Sequence, residues 1–207
     1  MDEPRCLRAS TVIMLMCLAG RVKRLAVLEG LVLCGSLLFG AADQYLGSLS
    51  AHPWGAYVSG LSAPWLLLPL IVGATQPTAK TAVVMGTATT FAALTGYCLM
   101  GLSPLENAHL SVASVWAFLR AGNYRWFVAG AITGPLFGRG GWAWRRGRVR
   151  WAIVAVAAFC LEPLLHAVLG SPIPVPEVWQ GEVIFGILAA IHVIQRSRAR
   201  AVPSDGA

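Results

Sequence analysis

The stretch LAVLEGLVLCGSLLFGAADQYL, residues 25–46, is nearly unbroken apolar sequence long enough to cross a hydrocarbon layer as a helix. It follows the basic cluster Arg21-Val22-Lys23-Arg24 and ends at the polar group Asp43-Gln44-Tyr45. Five further apolar stretches repeat the pattern, at about 57–74, 79–100, 124–137, 151–169 and 178–195. Hydrophobic residues are 57% of the chain and charged residues 12%. Mean hydropathy is +0.66. That balance lies outside the range of a soluble globular domain and predicts an all-α fold, a polytopic transmembrane bundle of six spans. Within 207 residues six spans leave room for one domain. Its parts are a cytoplasmic or interfacial N-terminal lead (1–24), the transmembrane domain (25–195) and a basic tail (196–207). The span at 124–137 is short for about 30 Å of hydrocarbon, which calls for tilt, local thinning or an upstream extension through 115–120.

A net charge of +7 in a soluble chain would suggest an acidic partner or nucleic acid, but here the cations sit between spans. With the N-terminus in the cytoplasm, Arg21, Lys23, Arg24, Lys80, Arg139, Arg145, Arg146, Arg148, Arg150, Arg196, Arg198 and Arg200 all fall on that side. Only Arg120 and Arg125 fall outside. This asymmetry predicts an even number of spans with both termini cytoplasmic. The expected partner is the lipid bilayer, including anionic lipids on the cytoplasmic side, and not nucleic acid; a homo-oligomer or a partner membrane subunit is left open. Trp54, Trp126 and Trp179 map to the outer interface and Trp142, Trp144 and Trp151 to the inner one, as in an aromatic belt.

The N-terminal run 7–20 resembles a secretory signal, yet Arg21 to Arg24 follow it where a cleavage site would be needed. The five cysteines, Cys6, Cys17, Cys34, Cys98 and Cys160, have no zinc or redox spacing and read as free thiols. The segment 103–123 is the longest outer connection and is apolar enough to lie on the membrane surface. It either caps an outward cavity or simply connects two spans. Gly30, Gly35 and Gly40, with Gly86, Thr90, Ala93, Gly130 and Gly134, predict close helix contacts, since small residues let backbones approach. Pro64, Pro69, Pro135 and Pro163 predict bends.

Ionisable groups at membrane depth are the candidates for function, because an ionised side chain facing lipid is costly. Glu162 and His166 lie four apart and share a helix face, with Pro163 between them. A proton relay, a cation site or an anchor for a polar ligand would use this pair, and so would a structural interhelical bond. Asp43 and Glu182 lie toward the outer ends of their spans, where they either face a shared polar cavity or snorkel to water. Trp65 and Tyr97, with Trp54 and Tyr57, offer stacking surfaces to a ligand or serve as belt and core residues. Glu29 pairs with Arg24 or reaches the headgroups, and His192 reads as interfacial. No phosphate loop, hydrolase elbow, zinc helix or deaminase motif occurs. The expectation is therefore a non-enzyme with no catalytic residue, no metal site and no cofactor.

Trp54-Gly55, Ser62-Ala63-Pro64-Trp65, Gly73, Gly96-Tyr97 and Gly134-Pro135-Leu136-Phe137-Gly138 together resemble a pattern in small uncharacterised membrane proteins of actinobacteria. That resemblance implies a six-helix fold in a bacterial inner membrane and carries no activity. In length and span number the chain is also similar to the substrate-capturing subunits of energy-coupling vitamin importers, though glycine spacing replaces their alanine-rich docking signature. Two functional readings follow. One is a small-solute binding or transport component whose polar site faces outward. The other is a non-catalytic structural or accessory membrane protein with a tightly packed interior.

Overall fold

A computed structural model describes residues 3–49, 53–168 and 176–201. Among them the chain is helical, with no strand. The helices are α1 (Glu3–Ser48), α2 (Pro53–Ser59), α3 (Ala63–Thr75), α4 (Ala79–Gly101), α5 (Val112–Phe118), α6 (Tyr124–Arg145), α7 (Arg150–Val168) and α8 (Pro176–Ala201). Helix α4 is central, with α1, α3 and α6 packed on it; α7 pairs with α8 and also meets α6 and α3. The N-terminal lead is continuous with the first apolar stretch, as one helix. By length and composition, 26–48 of α1 and the whole of α4 suffice to cross a membrane among the described residues, while α3 is apolar but shorter.

The interior combines the small side chains of Ala63, Ala82, Ala93, Ser36, Thr89 and Thr90 with larger apolar ones, among them Leu70, Met85, Leu94, Leu102, Phe137 and Trp179. Other large aliphatic side chains point outward: Leu28, Leu31 and Leu38 on α1, Val84 on α4, Ile132 on α6, Ile184 and Leu188 on α8. In water that surface would be a severe aggregation hazard; in lipid it is solvated. The buried hydroxyls need no partner across the interface. Thr89 Oγ1 donates to the Met85 carbonyl at 2.9 Å, Thr90 to Gly86 at 2.9 Å and Ser36 to Val32 at 2.8 Å, each one turn back in its own helix.

Glycine sets the helix separations. A methyl group on Gly40 would overlap the Ala93 carbonyl, and one on Gly96 would overlap Leu37, so α1 and α4 meet backbone to backbone. On α6, Gly134 and Gly138 face α4 around Gly86 and Ala82, and Gly141 faces the Leu70 carbonyl of α3. Gly30 and Gly35 behave otherwise: nothing lies within 4 Å of where their side chains would be. The close contact expected from the glycines of α1 is confined to Gly40.

Two of the expected spans have different limits. The stretch 57–74 is divided, because α2 stops at Ser59 and α3 starts at Ala63. Pro64 does not bend a continuous helix; it occupies the first turn of α3, where its missing N–H costs nothing. The stretch 124–137 is longer than expected. Helix α6 continues through Gly138-Arg139-Gly140-Gly141 to Arg145, about 33 Å at 1.5 Å per residue, although it is not among the helices whose length and composition together suffice to cross a membrane.

Helix α4 opens with a reciprocal cap, the Thr81 N–H donating to Thr78 Oγ1 at 3.1 Å and the Thr78 N–H to Thr81 Oγ1 at 3.3 Å. Between α4 and α6 the chain forms a short 3-10 turn (Pro104–Glu106), α5 and a π-helical turn (Leu119–Asn123). Leu105, Leu110, Val112 and Trp116 of this segment are exposed. Trp54 and Trp126 are also exposed, but Trp179 is buried, contrary to its expected place in the belt.

Candidate functional site

The site is organised by the start of α3. The first N–H groups of a helix have no partner within it, and a side-chain oxygen from the N-cap residue usually supplies one. Ser62 occupies that position without making such a bond. Glu162 of α7 takes its place: the Ser62 N–H donates to Glu162 Oε1 at 2.7 Å and the Ala63 N–H to Oε2 at 3.1 Å. A carboxylate suits this position, since the helix dipole places partial positive charge there. The opposite end of α3 receives a cation. Arg145 Nη1 donates to the Ala74 carbonyl at 3.1 Å, and Arg146 Nη2 to that of Pro77 at 3.1 Å while its guanidinium stacks over Trp142.

Both oxygens of Glu162 are thus engaged by backbone; its expected partner His166 has a side chain that lies outside the described residues. Glu182 of α8 is buried beside Glu162, so the two carboxyl groups are neighbours. No hydrogen bond to the Glu182 oxygens is formed among the described residues.

In front of the same helix start lies a cavity of about 440 Å³. Asp43 of α1, Trp65 of α3 and Tyr97 of α4 converge on it, joined by Ser59, Gly60, Leu61, Ser62 and Leu66 from the α2–α3 break. Thr90 and Leu94 of α4 and Trp126, Ala129, Gly130 and Thr133 of α6 complete the lining. A second hollow of about 260 Å³ shares Asp43, Ser59 and Tyr97 and adds Gln44, Gly47 and Ser48. The Ser48 hydroxyl donates to Glu106, which fastens the 103–123 connection to the end of α1. The Trp65 side chain interacts with the Asp43 carboxylate. Edge-on ring contacts run from Phe39 to Trp65 at 5.3 Å and from Trp65 to Tyr97 at 6.1 Å; Tyr97 then meets Phe118 of α5 at 6.2 Å.

The six candidates from sequence therefore divide. Asp43, Trp65 and Tyr97 share the cavity, Glu162 and Glu182 meet behind it, Glu182 lines neither of the two hollows around Asp43, and the His166 side chain lies outside the described residues. Sequence reasoning missed Ser59, Ser62, Thr90, Trp126 and Thr133 as lining residues. Ser59-Gly60-Leu61-Ser62 immediately before Pro64 was the available signal, a turn composition inside an apolar run. Among the described residues no three His, Cys, Asp or Glu side chains form a metal-binding group. Cys34, Cys98 and Cys160 are free thiols.

Residues 19–206 match the family model described as a family of unknown function, DUF6518. The chain belongs to the DUF6518 family. The match spans all the cavity-lining residues and both buried glutamates, so the DUF6518 region contains the whole candidate site. This agrees with the resemblance to an uncharacterised family. No curated protein and no solved structure matches this DUF6518 chain.

Proposed function

We propose that this protein is a non-catalytic, six-span protein of the cell inner membrane, both termini cytoplasmic, that binds a small solute in an outward-facing cavity as a transport or capture component. The six crossings are α1, the broken pair α2–α3, α4, α6, α7 and α8. The observation that carries the reading is the 440 Å³ cavity at a helix break, lined by a carboxylate, hydroxyls and aromatic rings, in a bundle whose α1–α4, α4–α6 and α3–α6 contacts are closed at glycines. Pockets for small molecules have this size and this mixture of apolar wall and few polar groups. Irregular backbone at membrane depth is tolerated where it lines a cavity or is buried in protein, and transporters place solute sites at such breaks. A purely structural role needs no cavity.

The orientation rests on charge. The cavity lies at the end of α3 opposite Arg145 and Arg146, and the basic residues Lys80, Arg139, Arg148 and Arg150 belong by sequence to the Arg145 end. Cysteine labelling in intact cells tests both points, in a chain whose native cysteines are replaced by alanine. A membrane-impermeant maleimide is expected to label Ser62→Cys and Thr133→Cys from outside, and Gly147→Cys only after permeabilisation. Labelling of Gly147→Cys in intact cells would reverse the orientation. Failure to label either cavity position in any preparation would remove the open cavity.

A further inference from the structure

We infer that the occupant of the cavity is a small organic cation with an apolar body, an ammonium or quaternary ammonium group held by Asp43 and the rings of Trp65 and Tyr97. This rests on the solute-binding reading and narrows it to one chemical class. Three observations carry it. Asp43 is the only ionisable acid or base in the lining of either hollow, apart from the Tyr97 phenol, and no Lys, Arg or His lines them. An anionic solute would thus meet a carboxylate with no compensating cation, whereas a cation would complete an ion pair at a half-buried position where charge is less screened than in water.

Second, aromatic side chains surround the acid. Trp65 and Tyr97 lie edge to face at 6.1 Å, and Trp126 joins the lining from α6. The negative face of an aromatic ring attracts a cation within about 6 Å of its centre, so rings and carboxylate act in the same sense. Third, the rest of the wall divides by chemistry. Ser59, Ser62 and Thr133 offer hydroxyl oxygens that accept from an ammonium, while Leu66, Leu94 and Ala129 offer contact to hydrocarbon. Glu162 behind the cavity is engaged with the α3 backbone. Its charge adds to the negative field without competing for the solute.

Three near-isosteric probes separate charge from shape: 2-phenylethylammonium, neutral 2-phenylethanol and anionic phenylacetate, with tetraethylammonium as a second cation. Binding to the full chain in detergent is followed by calorimetry and by the melting temperature. At least one cation is expected to bind about tenfold or more tightly than the alcohol, a difference of about 1.4 kcal/mol, and phenylacetate not at all. Asp43→Asn keeps an acceptor for the Trp65 N–H and should leave the ligand-free melting temperature near that of the parent while removing that preference. Trp65→Phe should weaken the cation several-fold and the alcohol little.

Equal binding of cation and alcohol at the cavity, or a cation preference that survives Asp43→Asn, would overturn the inference and leave the solute site standing. Binding of none of the probes, with Ser62→Cys still labelled from outside, would overturn the cation class alone. Binding of none, with Ser62→Cys unreactive, would remove the solute-binding reading as well.

Discussion

Replacing Glu162 should destabilise the fold through α3, although Glu162 itself belongs to α7. Its two acceptor bonds are unequal. Ser62 is exposed, so on loss of the carboxylate its N–H can be rehydrated, whereas Ala63 is fully buried and its N–H cannot. An orphaned buried donor costs about 1–3 kcal/mol, and losing a charge at a helix N-terminus costs roughly a further 0.3–1 kcal/mol. Glu162→Ala is therefore expected to cost about 1.3–4 kcal/mol, with Glu162→Gln near half of that because one acceptor oxygen survives. The neighbouring Glu182→Gln should cost clearly less than Glu162→Gln. It keeps a polar group beside Glu162, and no backbone N–H among the described residues depends on its oxygens as those of Ser62 and Ala63 depend on Glu162. Equilibrium unfolding in mixed detergent micelles, followed by helical circular dichroism, measures all three. A Glu162→Ala variant within about 0.5 kcal/mol of the parent, well below the usual cost of an orphaned buried group, would refute the reasoning. So would a Glu182→Gln variant as damaging as Glu162→Gln.

Other consequences are separable. Gly138→Leu and Gly141→Leu place side chains into the backbones of α4 and α3 and should prevent a folded protein from being recovered, while Gly35→Leu, on an open face, should leave yield and melting temperature unchanged. Arg145→Ala removes the donor to the Ala74 carbonyl and should cost about 1 kcal/mol by the same unfolding assay, because it loses only a partly exposed charge at the C-terminus of α3. Glu106→Gln keeps an acceptor for the Ser48 hydroxyl, whereas Glu106→Ala frees the 103–123 connection from α1 and should raise amide hydrogen exchange in α5 several-fold while the spans stay protected.

The helical class was legible because apolar runs bounded by basic clusters and Pro/Gly signals dominate the chain. The limits of individual helices were harder. The division at 60–62 is hidden because apolar residues continue on both sides, and Pro64 reads equally as a kink or as a first-turn residue until the helix start is seen. The last turns of α6 were hidden by Gly138-Arg139-Gly140-Gly141, which in isolation reads as a turn. Those glycines remain helical because α3 and α4 need their open surface. The glycines of α1 misled for a geometric reason: a spacing of five residues rotates by about 140° around a helix, so Gly30, Gly35 and Gly40 cannot share one face, while Ser36 and Gly40, four apart, do. Asp43, Trp65 and Tyr97, which line one cavity, were legible as candidates because polar and aromatic groups stand out against an aliphatic background. The role of Glu162 was not, since its partners lie some hundred residues away and no local spacing announces a contact between α7 and the start of α3.

The most direct measurement is a high-resolution experimental structure of the protein in native lipid, inspected where Asp43, Trp65 and Tyr97 meet. The expected result is a chain broken at 60–62, Glu162 seated on the Ser62 and Ala63 N–H groups, and a non-lipid molecule in the cavity with its polar end toward Asp43. A continuous helix through 57–74, or a dry interior with the rings closed over Asp43 and no cavity between α3, α4 and α6, would contradict a solute site at this position.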